Sequence, residues 1–200
     1  MTETVALRRA TAADAAAVAA LHVASWRSAY RGLLADAYLD GPVEAERRVL
    51  WARRLAGGDG SETLLACVGR DLAGFACFVP GADPLWGTLV DNLHADPARR
   101  GLGIGRGLLA AVARRAEQVG AGRPVHLFCL AGNGAARGFY ERLAGRIAER
   151  LTADEPDGRR HPVLRYAWDG PAALAAGCAA PAGSAGARRS APPPLPGRPR

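Results

Sequence analysis

Asp96-Pro-Ala-Arg-Arg100-Gly101-Leu102-Gly103-Ile104-Gly105-Arg106 joins an apolar run, Thr88 to Ala95, to a stretch where Leu108, Leu109, Val112, Ala116 and Val119 recur at helical spacing. Arg114, Arg115, Glu117 and Gln118 fall on the opposite, wet side of that helix. The segment therefore reads as strand, glycine-rich turn and amphipathic helix. Glycines at 101, 103 and 105 let the backbone turn sharply and approach a ligand without Cβ obstruction. The first N–H groups of a helix have no intrahelical partner, and with the helix dipole they attract anions. Arg100 and Arg106 add full positive charges on either side. The implied ligand carries phosphate, with pyrophosphate the best fit.

Several readings of this turn compete. A P-loop ends in Gly-Lys-Ser/Thr, and the chain contains no Lys. A dinucleotide fingerprint can be forced as Gly105-x-Gly107-x-x-Ala110, but Val125 to Leu130, the next strand, holds no acidic residue to take a ribose. A coenzyme A turn, Arg/Gln-x-x-Gly-x-Gly/Ala, is filled by Arg100, Gly103 and Gly105. A plain strand-to-helix turn without ligand also satisfies this segment taken alone.

Upstream, Val5 to Arg9 reads as a first strand. Thr11-Ala-Ala-Asp14 then starts an Ala-rich helix whose inner face is Val18, Leu21, Ala24 and Ser25. Val43 to Ala56 is a second helix pattern closed by Gly57-Gly58. Thr63 to Val68 and Gly74 to Val79 flank Gly69-Arg70-Asp71 as a hairpin. Downstream, Val125 to Leu130 is a buried strand, Asn133 opens a helix carrying Phe139, Tyr140 and Leu143, and Val163 to Trp168 closes the sheet. The order β, α, α, β, β, β, α, β, α, β fits neither regular β-α alternation nor an all-β fold. It predicts an α/β (α+β) architecture, a mixed sheet with helices on both faces.

Composition sets the outer limits. Apolar residues make up 49% of the 200-residue chain, enough for one sizeable core, so residues 1–169 are expected to form one domain. Residues 170–200 are rich in Ala, Pro, Gly and Arg and are expected to be a disordered tail. The net charge is +7, but Arg188, Arg189, Arg198 and Arg200 of that tail supply four of those charges and no aromatics interleave with them. Nucleic-acid binding by the folded part is therefore not expected. Cys67, Cys77, Cys129 and Cys178 form no Cys-x-x-Cys pair and have no metal spacing with His, so no metal is expected. Met1-Thr-Glu-Thr-Val lacks the start of a signal peptide, and no run of about 18 apolar residues occurs. A reduced, cytoplasmic protein without membrane contact, monomeric or homodimeric, is the expectation.

Two motifs in order carry a family resemblance. Leu93-His-Ala-Asp-Pro-Ala-Arg-Arg-Gly-Leu-Gly-Ile-Gly105 resembles the central motif of the GNAT superfamily of N-acetyltransferases. Asn133-Gly-Ala-Ala136-Arg-Gly-Phe139-Tyr140-Glu-Arg-Leu143 resembles its second motif. Trp26-Arg-Ser-Ala-Tyr30-Arg-Gly32, followed by Tyr38-Leu39-Asp40, is similar to a subgroup of small bacterial members. The resemblance spans about residues 5 to 168 and implies a mostly antiparallel sheet that splays centrally, between Leu89–Ala95 and Val125–Leu130, to admit acetyl-CoA. It implies that the Leu93, His94 and Ala95 stretch lies along the pantetheine, Leu93 and Ala95 through their backbone. It further implies that Arg100, Gly101, Leu102, Gly103, Ile104, Gly105 and Arg106 hold the pyrophosphate, and that Asn133, Ala136 and Phe139 flank the pantetheine arm.

The reaction implied is direct transfer of the acetyl group to an amine, with Tyr140 as the acid that protonates the departing thiolate. Packing of the helix is the other role open to Tyr140. A CoA-binding sensor without chemistry is the alternative function. Asp91 and His94 are candidate bases, but their odd spacing predicts opposite sides of the strand. His22 and His126 have no partner legible in the sequence. Trp26, Tyr30 and Trp86 are expected to line an acceptor pocket or simply to pack. The acceptor itself is not specified.

Overall fold

The computed structural model describes residues 4–120 and 122–180. Seven strands form one sheet in the order β1-β2-β3-β4-β5-β7-β6. They are β1 (Val5–Arg9), β2 (Glu62–Val68), β3 (Asp71–Asp83), β4 (Gly87–Ala95), β5 (Val125–Leu130), β6 (Arg146–Asp154) and β7 (Arg160–Trp168). All pairings are antiparallel except β4 with β5, which is parallel. Among the described residues the α-helices are α1 (Ala15–Ala29), α2 (Asp36–Asp40), α3 (Val43–Leu55), α4 (Ile104–Gly120), α5 (Gly134–Arg142) and α6 (Pro171–Ala179).

Successive residues of a strand face opposite sides, and β2 shows that both sides are covered. Leu64, Ala66 and Val68 join a core with α4, α5 and α6, including Leu108, Val112, Leu143 and Leu174. Leu65 and Cys67 join a second core with α1 and α3, built on Val18, Leu21 and Trp51. The expected mixed, mostly antiparallel sheet with helices on both faces is what forms.

Three elements lie outside the expected order. Helix α2 is one short turn. Strand β6, Arg-Ile-Ala-Glu-Arg-Leu-Thr-Ala-Asp, is an edge strand whose charged residues mask its period of two, in keeping with how edges are kept from pairing further. Helix α6 moves the expected domain boundary. Residues Pro171–Ala179 are not a disordered tail, because Leu174 is fully buried and Cys178 is 7% exposed against α4 and its neighbours. Pro171 occupies the first helical turn, where its missing N–H costs nothing. The rest of the expected tail, 181–200, lies outside the described residues. On α1 the inner face includes His22 and Trp26, whereas Ala24 is exposed, because the helix also packs on α3.

Candidate active site

Strands β4 and β5 are paired only at Thr88–Val125 and Leu89–His126, and beyond these they part. The backbone of β4 past this point therefore has a free edge. The Asp96 amide donates to Ala73 of β3 at 2.9 Å, so Asp96 and, two residues back, His94 turn their backbone groups toward β3. By alternation Leu93 and Ala95 present theirs to the gap.

The turn after β4 ends in a set of free donors. Gly101 and Gly103 adopt φ of 85° and 72°, the left-handed region that glycine enters without Cβ strain. The Gly107 amide donates to the Gly103 carbonyl at 2.9 Å, and among the described residues the amides from Leu102 to Arg106 have no backbone acceptor. Gly105 lies under Phe139 of α5, where a Cβ would stand 3.1 Å from the ring. The two sequence motifs thus meet at the mouth of the gap. Ile104 is buried with its side chain in the core, so only its amide faces a ligand. Arg100 donates to the Ser28 hydroxyl at 3.0 Å, and Arg106 to the Ala180 carbonyl at 2.7 Å. Both cations are thereby tethered beside the turn. Asn133 caps α5, its Oδ1 accepting from the Ala136 amide at 3.1 Å, which leaves its amide nitrogen available.

Tyr140 sits on α5 with 8% exposure, its ring 5.4 Å from that of Tyr166. Its hydroxyl makes no hydrogen bond among the described residues. Burial, with the proximity of Cys129 and Tyr30, pushes its pKa well above the usual phenol range.

Cys129 and Tyr30 also line a cleft of about 410 Å³ where the gap opens on the α1–α3 side. Trp26, Arg47, Arg54, Asp91, His94 and Glu155 are among its walls. Asp91 and His94 both reach it, contrary to the expectation of opposite sides. Cys77 pairs with Asn92 and Phe78 with Val90, so Asp91 is an extra residue, a bulge that resets the alternation. Trp26 and Tyr30 line the cleft as expected; Trp86 does not, and instead lies under the Arg165 guanidinium at 4.9 Å.

The histidines are structural or weakly basic. His22 is buried, and its Nδ1 accepts from Trp51 Nε1 at 2.9 Å. His126 donates from Nδ1 to the Trp86 carbonyl at 2.9 Å. His94 shares a hydrogen bond with Ser25 at 3.0 Å, and burial, aided by the Arg47 charge, pushes it down to about 3. Asp91 is engaged by Arg54 at 2.6 Å. Burial pushes Cys129 up to about 11, so it is a neutral thiol rather than a nucleophile. Among the described residues no cluster of His, Cys, Asp or Glu is placed to hold a metal, and no helix is long and apolar enough to cross a membrane. The charged cleft residues that sequence reasoning missed are Arg47, Arg54 and Glu155. The two arginines lie in the second helix pattern, which carried no site expectation, and Glu155 fell in a segment with no assigned element.

The family description that matches this chain is that of the acetyltransferase (GNAT) family, over residues 20–145. The chain belongs to the acetyltransferase (GNAT) family. A search of curated proteins gave no match. Solved structures share the fold. A GCN5-related N-acetyltransferase from Rhodopseudomonas palustris is 24% identical, with TM-score 0.67, over 84% of this chain and 98% of that one. A ribosomal-protein-alanine N-acetyltransferase from Brucella melitensis is 23% identical, with TM-score 0.62, over 82% and 99%. PaiA N-acetyltransferase from Thermoplasma acidophilum, solved in complex with coenzyme A, is 14% identical, with TM-score 0.62, over 81% and 98%. The GNAT identity and the centrally splayed sheet are as the motifs implied.

Proposed function

We propose that this GNAT protein binds acetyl-CoA along the gap between β4 and β5 and transfers the acetyl group directly to an amine held in the adjoining cleft. The observation that carries this reading is the pair of unsatisfied backbone edges. Leu93 and Ala95 offer strand-like partners for the amides of the pantetheine arm, and the amides from Leu102 to Arg106 offer donors for its pyrophosphate. Arg100 and Arg106 supply charge nearby, the Asn133 amide faces the arm, and Phe139 packs at the turn.

Acetyl transfer forms a C–N bond and breaks a C–S bond. The neutral amine attacks the thioester carbonyl, a backbone amide at the end of β4 steadies the oxyanion, the attacking nitrogen releases one proton to water in the cleft, and the departing thiolate takes a proton. Tyr140, on the helix whose Phe139 packs at the cofactor turn, stays protonated through neutral pH and is the proposed donor. The free Cys129 thiol is neutral, which argues for direct attack rather than an acyl-enzyme.

Calorimetry with acetyl-CoA on wild type and Gly103→Asp tests the cofactor site. The substitution places a carboxylate and a left-handed Cβ beside the free amides, and affinity is expected to fall about tenfold or more. Gly69→Asp, at φ 60° in the β2–β3 turn, carries the same kind of backbone strain and should leave affinity unchanged. Thiol release across a panel of amines then reads the chemistry. Tight acetyl-CoA binding with no thiol release from any amine would point to a sensor instead.

A further inference from the structure

The charges of the cleft do not all cancel. Arg54 and Asp91 neutralise one another at 2.6 Å. Arg47, on α3, and Glu155, at the start of the β6–β7 turn, are left over, and among the described residues they form no ion pair with each other. The Arg47 guanidinium lies 4.9 Å above the Trp26 ring, its side chain is 14% exposed, and its Nε is buried without a partner. The carboxylate that pairs with it, on Glu46, stands 3.6 Å away and already accepts the Tyr38 hydroxyl at 2.6 Å. A guanidinium held against a ring, largely out of water and loosely paired, is a costly arrangement until an anion completes it. Its planar fork matches a carboxylate. Glu155 is half-buried, and its carboxylate has no hydrogen-bond or ion-pair partner among the described residues. Burial pushes its pKa up, and the nearby Asp157 and His161 act in opposite directions.

We propose that the acceptor is a small amine that also bears a carboxylate, of the amino-acid type, with its carboxylate on Arg47 and its ammonium received by Glu155. This inference rests on the cleft being the acceptor site of the reaction proposed above. A polyamine brings only positive charge and would leave the Arg47 guanidinium unmatched. The volume of about 410 Å³ suits a whole small molecule.

The test compares amino acids with their own amides, which keep the amine and the side chain and lose only the negative charge. Thiol release with acetyl-CoA should favour the acids in kcat/KM. Arg47→Gln should raise KM for the acids by about 10–100-fold, the usual scale for a lost charge-assisted bond, and leave the amides little changed. Arg47→Lys should recover part of the preference. A misfolded or loosened cleft would not move the acid-to-amide ratio in this way, and an unchanged acetyl-CoA affinity in each variant confirms an intact domain. Glu155→Gln should weaken acids and amides alike. Direct binding of the same compounds to the free protein, by saturation-transfer NMR, separates this inference from the cofactor reading. Amino acids bound through Arg47 without any affinity for acetyl-CoA would support the ligand class read from Arg47 and Glu155 and overturn the cofactor reading, and with it the role of acceptor. Acetyl-CoA binding with amides and amines bound and acetylated as well as the acids, or with no acid bound at all, would overturn the inference.

Discussion

Asp157 accepts a hydrogen bond from the Ala35 backbone amide at 2.9 Å, across 122 positions of sequence. Its side chain is fully buried, and the same carboxylate also receives His161 Nε2 at 3.0 Å and the Arg159 amide at 3.2 Å. One carboxylate therefore pins the β6–β7 turn to the α1–α2 connection. Glu155 and Tyr30, two walls of the cleft, hang on those two segments. Asp157→Ala should remove the pin and orphan the Ala35 amide, at a cost of about 1–3 kcal/mol. The expected signature is a raised KM for the acceptor with acetyl-CoA affinity unchanged. A fall in acetyl-CoA affinity of the same size would show that the turn supports the cofactor side instead.

The turn and helix of the proposed cofactor site were legible in the sequence, as were Trp26 and Tyr30 of the cleft, whereas its charged walls Arg47, Arg54 and Glu155 were not, for physical reasons. Glycines 101, 103 and 105 and the helix after them are a local signal: backbone freedom, orphan amides and amphipathic spacing all lie within one segment. Asn133 and Phe139 belong to a second local signal. The cleft, by contrast, is assembled from α1, α3, β4 and the β6–β7 turn, and no periodicity encodes which residues of separate elements converge. The Asp91 bulge is a register event between β3 and β4, so a strand read alone places His94 on the wrong side. Pro156-Asp157-Gly158 is a turn signature that could have marked the β6–β7 hairpin. Helix α6 was hidden by its composition, since Ala-rich sequence resembles a linker until α4 offers Leu174 a core.

Truncation should separate α6 from the residues after it. Removal of everything beyond Ala180 is expected to leave thermal stability and turnover intact. Removal beyond Asp169 strips Leu174 and Cys178 from the core and frees Arg106 from the Ala180 carbonyl. Leu174→Ala alone should cost about 2–5 kcal/mol as a cavity-forming change, or roughly 2–4 °C of Tm per kcal/mol at this size. A melting temperature unchanged by the cut beyond Asp169 would show that α6 contributes nothing to the fold.

Buried His22 and half-buried His94 set an acid limit. His94 is pushed down to about 3 by burial and then by Arg47, and His22 lies well below its ordinary value for the same first reason. A depressed folded pKa means that the unfolded chain binds the proton more readily, so stability is complete above about 6.5 and falls as the pH drops toward 3. The slope should be on the order of 1 kcal/mol per pH unit for each histidine. Denaturant melts from pH 8 to 4 on wild type and His94→Gln should show a shallower decline in the variant. Parallel declines would show that His94 is protonated in the folded protein.

Tyr140 admits the sharpest separation of chemistry from packing. Its ring packs against Tyr166 and Trp168, at 5.4 and 6.4 Å, while its hydroxyl is unbonded among the described residues. Tyr140→Phe therefore keeps the packing and removes one proton donor, and its melting temperature should stay near that of wild type. Burial raises the pKa because the tyrosinate is poorly solvated there. The proton is thus present throughout the neutral range, while the same burial makes the phenol a weaker acid than in water. Loss of a positioned acid of this kind costs about 10²–10⁴-fold in rate. The change belongs in the acetyl-transfer step, so single-turnover measurements at saturating acetyl-CoA should show it in full, free of product release. Acetyl-CoA affinity should hold, because the phosphate donors lie on the turn before α4. An unaltered single-turnover rate would remove Tyr140 from the reaction. A parallel loss of rate and melting temperature would assign it to packing.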